Sequence, residues 1–326
     1  MKAEARLLLT ASAGGVIWLG LLWWWRPWPV HLRWGILLLL LAPLVLVPLA
    51  FRLVIQLSAN TSARISLLQY WIVLWLPPAA LLVPISFLPE PGWLAAMLVL
   101  PWLLVTGLLA VLGVVRVQER QRTGRLMCSP ERLCLDAGLI FIVVGGLWLT
   151  AARLGWRPLG FDPVIVLLTA IHFHYAGFLL PLLTGLAGME SRGKLSALAS
   201  YGMMAGVPCT AMGITATQTG LTPLIETIAA GMAAIAGWLT AILYLRMSLQ
   251  RNAPRRVRVL KALVGLSLCF SMTLAFGYAL RFYRVFPWLD IPWMRALHGS
   301  ANALGLGLAG VLAWTLKAGS GNKMFH

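Results

Sequence analysis

Two short stretches carry residue types that could do chemistry in otherwise apolar surroundings. The first is His172-Phe173-His174-Tyr175-Ala176-Gly177-Phe178, and the second is His298-Gly299-Ser300-Ala301-Asn302-Ala303. Neutral imidazole is a good ligand for zinc, copper or haem iron, and His172, His174 and His298 would supply three ring nitrogens. The same groups could relay protons or hydrogen-bond a polar substrate, with Tyr175 and Asn302 positioning it. The competing reading is plain structure, in which each side chain bonds a neighbouring helix for about 0.6 kcal/mol. That reading is the better one for a lone histidine. For five such residues at membrane depth, a functional site is the better one. A metal is the less favoured occupant, because no carboxylate or cysteine lies close to these stretches.

Helical phase constrains how these residues combine. His172 and Tyr175 share a face, whereas His174 is about 200° round from His172 in a regular helix. Both histidines could serve one ligand only where the helix is distorted. Pro181 supplies a cause, since it cannot donate to the carbonyl of Gly177 and crowds it. His298 and Asn302, at i and i+4, share a face. Gly299, Ala301, Ala303, Gly305, Gly307, Ala309 and Gly310 surround them, and small residues at this spacing let helices approach closely. A central helix is expected there.

The elements that must position these groups are membrane spans. Of 326 residues, 60% are hydrophobic and only 11% charged, against about 25% charged in soluble domains. The mean hydropathy is +0.85. Apolar windows of about 20 residues, each able to cross a core of roughly 30 Å, recur near 7–25, 34–55, 65–88, 93–117, 133–153, 163–188, 195–217, 223–247, 259–280 and 292–316. The expected fold is all-α: a polytopic bundle of ten spans, read as a single transmembrane domain over 1–326. Lys2 and Arg6 precede the first apolar run as in a signal peptide, but the run continues past the cleavage-like Ala11-Ser12-Ala13, so a retained helix is expected. Trp23, Trp24, Trp25 and Trp28 would form its aromatic belt. Pro77, Pro78 and Pro84 predict a kink or break in the third span.

Asp162-Pro163 and Asp290 with Pro292 mark the starts of the sixth and tenth spans, Asp as cap and Pro in the first turn. Separated by an even number of crossings, the two spans run in the same direction. At 1.5 Å per residue, His172 and His174 lie roughly 14 and 17 Å beyond Pro163, and His298 roughly 9 Å beyond Pro292. The expectation is a polar pocket built by these two spans and open to the outer side.

The formal charge of +17 does not point to nucleic acid, because the basic residues lie between apolar runs. With the N-terminus inside, 19 of the 26 Lys and Arg fall on the inner side and 7 on the outer, as the positive-inside rule requires. Both termini are then cytoplasmic. Cys209 and Cys269 read as small core hydrophobes, and Cys128 and Cys134 form neither a structural disulfide nor a zinc pattern. Gln218 and Glu226 read as solvated turn residues, and Arg281, Arg284 and Arg295 as snorkelling interfacial arginines. No P-loop, Rossmann glycine pattern or HExxH motif is present, which argues against an ATPase or a typical intramembrane metalloprotease.

The two histidine stretches, His172-Phe173-His174-Tyr175-Ala176-Gly177-Phe178 and His298-Gly299 with Asn302-Ala303-x-Gly305, resemble those of the YndJ-like family of bacterial membrane proteins. The resemblance lies in the second half of the chain only. It implies a multi-pass protein of the bacterial cytoplasmic membrane with a transporter-like role. The leading expectation is transport or handling of a small-molecule or lipid-like substrate at His172, His174, Tyr175, His298 and Asn302. The first alternative is a membrane-embedded enzyme or redox protein, using the histidines as zinc, copper or haem ligands or as general acid and base on a lipid-like substrate. The second is a non-catalytic subunit with a membrane-protein partner.

Overall fold

A computed structural model of the chain describes residues 2–24, 30–58, 62–124 and 129–319. Trp25, Trp28 and Cys128 lie outside the described residues. Among those described, the regular structure is helical and contains no strand. Ten helices are long and apolar enough to cross a membrane: α1 (Ala3–Trp23), α2 (Arg33–Gln56), α3 (Ala63–Ile85), α4 (Trp93–Arg122), α5 (Pro130–Leu154), α6 (Pro163–Ser191), α7 (Lys194–Gln218), α8 (Pro223–Ser248), α9 (Arg255–Phe282) and α10 (Ile291–Gly319). The protein is a polytopic α-helical membrane protein. Where the sequence reads as one domain, the residues group into two compact units. One comprises Met1–Gly124 with Gly138–Leu179, and the other Arg125–Ala137 with Leu180–His326.

The first unit is built around α2. Every residue from 35 to 51 is buried, the pattern of a helix that is apolar all round and enclosed by others. α1, α3 and the first part of α6 pack against it. Gly14 of α1 makes close approach possible, because a Cβ there would overlap the backbone of Leu44. Trp18 donates its indole N–H to the carbonyl of Leu37 at 2.6 Å. Around Pro43, α2 widens into a π-helical turn, Ala42–Leu46, which accommodates a residue with no N–H to give.

α3 is not broken by its prolines and runs as one α-helix from Ala63 to Ile85. Pro78 leaves the carbonyl of Leu74 without its i+4 donor, and the Arg6 guanidinium of α1 supplies one at 3.2 Å. At the other end of α3, Arg153 of α5 is 4% exposed. It donates to the carbonyls of Ser86 and Pro89 at 3.0 and 2.7 Å and lies over the Phe87 ring. One side chain thus fixes the turn into α4.

In the second unit, small residues set the spacing of the helices. Gly202 and Gly206 of α7 face Ala236 and Ala233 of α8, and a Cβ at Gly310 of α10 would meet Leu183 at 2.8 Å. α10 also packs along α9, with Gly305 set against Ser267. Glu226 is not a solvated turn residue. Thr222 caps α8 and Pro223 occupies its first turn, which carries Glu226 into the helix. There it is 5% exposed and paired with Arg281 at 2.7 Å. Arg281 in turn lies over Tyr278 and Phe282, so it is a bonded partner and not merely a snorkelling one.

Candidate functional site

Four of the five residues fall into two polar nodes, one within each unit, and His172 lies apart from both. In α6, Asp162 caps the helix by accepting from the N–H of Val164 at 2.8 Å, with Pro163 in the first turn. The helix stays α-helical to His172 and is then π-helical from Phe173 to Leu179. Inserting an extra residue per turn weakens local bonding, so π-helical segments persist where other contacts hold them, often at functional sites. Pro181, two residues on, cannot continue the regular ladder.

His174 lies in this π-helical stretch with no exposed surface. Its Nδ1 is 2.7 Å from the carbonyl of Ala170, and its Nε2 accepts the indole N–H of Trp102 of α4 at 2.9 Å. The two ring planes are 16° apart. A carbonyl can only accept and an indole can only donate, so these partners assign the neutral Nδ1–H tautomer. Gly145 of α5 provides the space, since a Cβ there would lie 2.8 Å from Nδ1. Tyr175, 4% exposed, donates its hydroxyl to the carbonyl of Leu38 in α2 at 2.6 Å. His172 is exposed, so the distortion does not bring it to the environment of His174.

In the second unit, Asp290 caps α10 by accepting from the N–H of Trp293 at 2.9 Å. Two π-helical stretches follow, Met294–Gly299 and Ala301–Leu308, and they contain His298 and Asn302 respectively. His298 Nδ1 lies 2.8 Å from the carbonyl of Ser271 in α9. The Asn302 amide N–H₂ is 3.1 Å from His298 Nε2 and 2.9 Å from the His298 carbonyl. The Ser271 hydroxyl donates to Asn302 Oδ1 at 3.3 Å. His298 is therefore also an Nδ1–H imidazole whose second nitrogen is already an acceptor.

This bonding bears on chemistry. Metal ligation needs a ring lone pair, and those on His174 and His298 Nε2 point at Trp102 and Asn302. Among the described residues, no three His, Cys, Asp or Glu side chains form a group able to hold a metal ion. In both nodes these nitrogens are engaged in hydrogen bonds. Two members were not singled out from sequence. Trp102 carried a signal: it lies nine residues past Trp93, roughly 14 Å into the span, where a buried indole N–H needs a partner. Ser271 carried none, because it is one of many hydroxyl residues on apolar helices.

A third polar cluster in the second unit also escaped the sequence reading. Glu190 holds Lys261 at 2.7 Å and Lys317 at 2.9 Å, and both ammonium groups lie over the Trp314 ring. Trp314 donates to the Tyr244 hydroxyl at 2.9 Å, which donates to the Leu183 carbonyl at 3.0 Å.

Comparison with known proteins bears out the family resemblance. The family model described as YndJ-like protein matches residues 37–306, a range that contains most of α2, Trp102, both π-helical histidines, Ser271 and Asn302. The chain belongs to the YndJ-like family. The match begins in α2, so the likeness to the family is not confined to the second half. A relative named "Uncharacterized membrane protein YndJ", from Bacillus subtilis (strain 168), is 28% identical over 283 residues, covering 86% of this chain and 48% of its own length. The chain thus spans about half of that YndJ relative. No solved structure matches.

Proposed function

We propose that this YndJ-like protein is transporter-like and handles a small or lipophilic molecule across the bacterial cytoplasmic membrane, with both termini cytoplasmic. The observation that carries the reading is the coincidence of both histidine stretches with π-helical segments. Each imidazole there sits in a closed set of neutral hydrogen bonds. A substrate hydroxyl can insert between His174 and Trp102, or between His298 and Asn302, donating to the imidazole Nε2 and accepting from the displaced N–H. Such exchange gives binding without a buried unsatisfied group, which would cost about 1–3 kcal/mol. In this reading His174 and His298 bind substrate or relay a proton, Tyr175 and Asn302 position it, and His172 is an exposed accessory. The excess of Lys and Arg on one side supports the orientation.

The test is an untargeted mass-spectrometric comparison of solutes taken up by membrane vesicles carrying the wild type, His174→Phe or His298→Phe at matched protein levels. At least one solute is expected to accumulate with the wild type and to fall several-fold with each variant. A solute profile identical to that of protein-free vesicles would remove the transport reading.

A further inference from the structure

The second unit carries an open groove of about 320 Å³ where α8 ends and α9 begins, lined by Ser248, Arg255, Arg258, Val259 and Ala262. Its level in the bilayer follows from the chain. α9 runs for 28 residues, roughly 42 Å, which is the thickness of a bilayer with its headgroup layers. From Val259 onward its only charged residue before Arg281 is Lys261, whose ammonium is buried and paired with Glu190. Arg255 and Arg258 therefore stand at headgroup level, and Val259 at the edge of the hydrocarbon.

Charge sets this groove apart. The stretch Arg246–Arg258 contains five arginines and no Asp or Glu. Among the described residues, no carboxylate pairs with Arg255 or Arg258, whereas Lys261, Lys317 and Arg281 of the same unit each have one. Arg258 donates from Nε to the carbonyl of Ser248 at 3.0 Å, which holds its fork while both terminal NH₂ groups keep donors. One face of α9 leads away from the groove. Arg255, Val259, Leu263, Leu266 and Phe270 share that face, and all five are exposed. Val259 to Phe270 rise roughly 16 Å, about half of a 30 Å hydrocarbon core, so the apolar stripe is one leaflet deep.

We infer that this groove binds an anionic phospholipid such as phosphatidylglycerol, with its phosphate between Arg255 and Arg258 and an acyl chain along Val259, Leu263 and Leu266. Guanidinium groups give a phosphate charge-assisted bonds, and basic pockets at the ends of membrane helices suit anionic headgroups. A zwitterionic headgroup fits less well, because its ammonium would enter the field of five arginines without a counter-charge. An acidic protein segment would answer the arginines but leave the apolar stripe uncovered. In the orientation proposed above, the site lies in the cytoplasmic leaflet. It is separate from the histidine nodes and stands whether or not those nodes transport anything.

The experiment uses the full chain in nanodiscs of phosphatidylcholine. Phosphatidylglycerol and phosphatidylcholine probes bearing the same diazirine acyl chain are photolysed separately, and cross-linked peptides are mapped. Phosphatidylglycerol is expected to label residues 259–270 about fivefold more than phosphatidylcholine, or better. Arg255→Gln/Arg258→Gln should bring it down to the phosphatidylcholine level, whereas Arg251→Gln/Arg256→Gln should keep most of the preference. Equal labelling by the two probes in the wild type would overturn the inference. So would an equal loss in the two paired variants, which would assign the preference to the charge of the loop at large. Displacement of the phosphatidylglycerol probe by soluble polyglutamate would likewise overturn it and assign the face to an acidic protein. Should Arg255→Gln/Arg258→Gln fail to accumulate, Arg255→Gln alone, at an exposed side chain, decides the matter. It should lower the ratio about twofold or more, and an unchanged ratio would overturn the inference.

Discussion

Trp102 donates its indole N–H to Nε2 of His174 at 2.9 Å, with both side chains wholly enclosed. The bond ties α4 to the π-helical part of α6 within the first unit. Because a buried acceptor costs more when abandoned than it contributes when satisfied, the pair is expected to respond asymmetrically. Trp102→Phe should destabilise the protein by about 1–3 kcal/mol, and the double variant Trp102→Phe/His174→Phe should recover part of that loss. A double-mutant cycle of thermal unfolding in detergent measures the coupling, and additive effects would show the bond to be energetically idle.

Gly145 predicts a steric effect at the same node. A Cβ there would lie 2.8 Å from His174 Nδ1, whereas one at Gly107 would meet nothing within 4 Å. Gly145→Ala should therefore lower the melting temperature. Gly107→Ala should hold or raise it, since alanine favours the helix by roughly 0.5–1 kcal/mol. Equal behaviour of the two variants would contradict the packing described for the imidazole.

At the second node, the side chain of Asn302 and the backbone of Ser271 hold His298. Ser271→Ala keeps the carbonyl acceptor, so imidazole ¹⁵N spectra should still report the Nδ1–H tautomer. Asn302→Leu removes the donor to Nε2 and should change the His298 resonances and lower stability more than Ser271→Ala does. A larger effect from Ser271→Ala would mean that the hydroxyl, and not the backbone, holds the ring.

The Glu190 cluster gives a fourth expectation. Lys261 is fully buried, while Lys317 keeps 19% of its side chain exposed. Glu190→Gln strips the counter-charge from both ammonium groups, and breaking a buried pair typically costs about 3–5 kcal/mol. It should be clearly more destabilising than Lys317→Met, whose loss leaves Glu190 and Lys261 still paired. Thermal melts of the two variants check the order.

The features legible in the sequence are those set by local chain chemistry. Ten apolar runs gave ten helices, and Asp162-Pro163 and Asp290 with Pro292 open α6 and α10 as their residue types require. Features that depend on distant partners were less legible. Nothing near His174 names Trp102, which is 72 residues away, and the identical spacing would allow His172 to be the buried ring. Glu226 was misread because its partner Arg281 lies 55 residues on, and without that partner a carboxylate beside a turn belongs in water. Of the kink or break expected from the prolines of α3, the break is absent, and Arg6 of another helix supplies the donor that Pro78 lacks.

The burial of α2 has a consequence for biogenesis. Its hydropathy of 2.6 is the highest of the ten spans, yet 89% of its apolar window is enclosed by protein. In the finished molecule lipid does not test most of that surface. During synthesis it does, because α3 and α6, which come to cover it, are made later. At about 5–20 residues per second, α6 begins to emerge roughly 5–20 s after α2 is complete. Over that interval α2 must persist in the bilayer with α1 as its earliest companion. Its sequence thus answers to two solvents in turn, lipid first and protein afterwards.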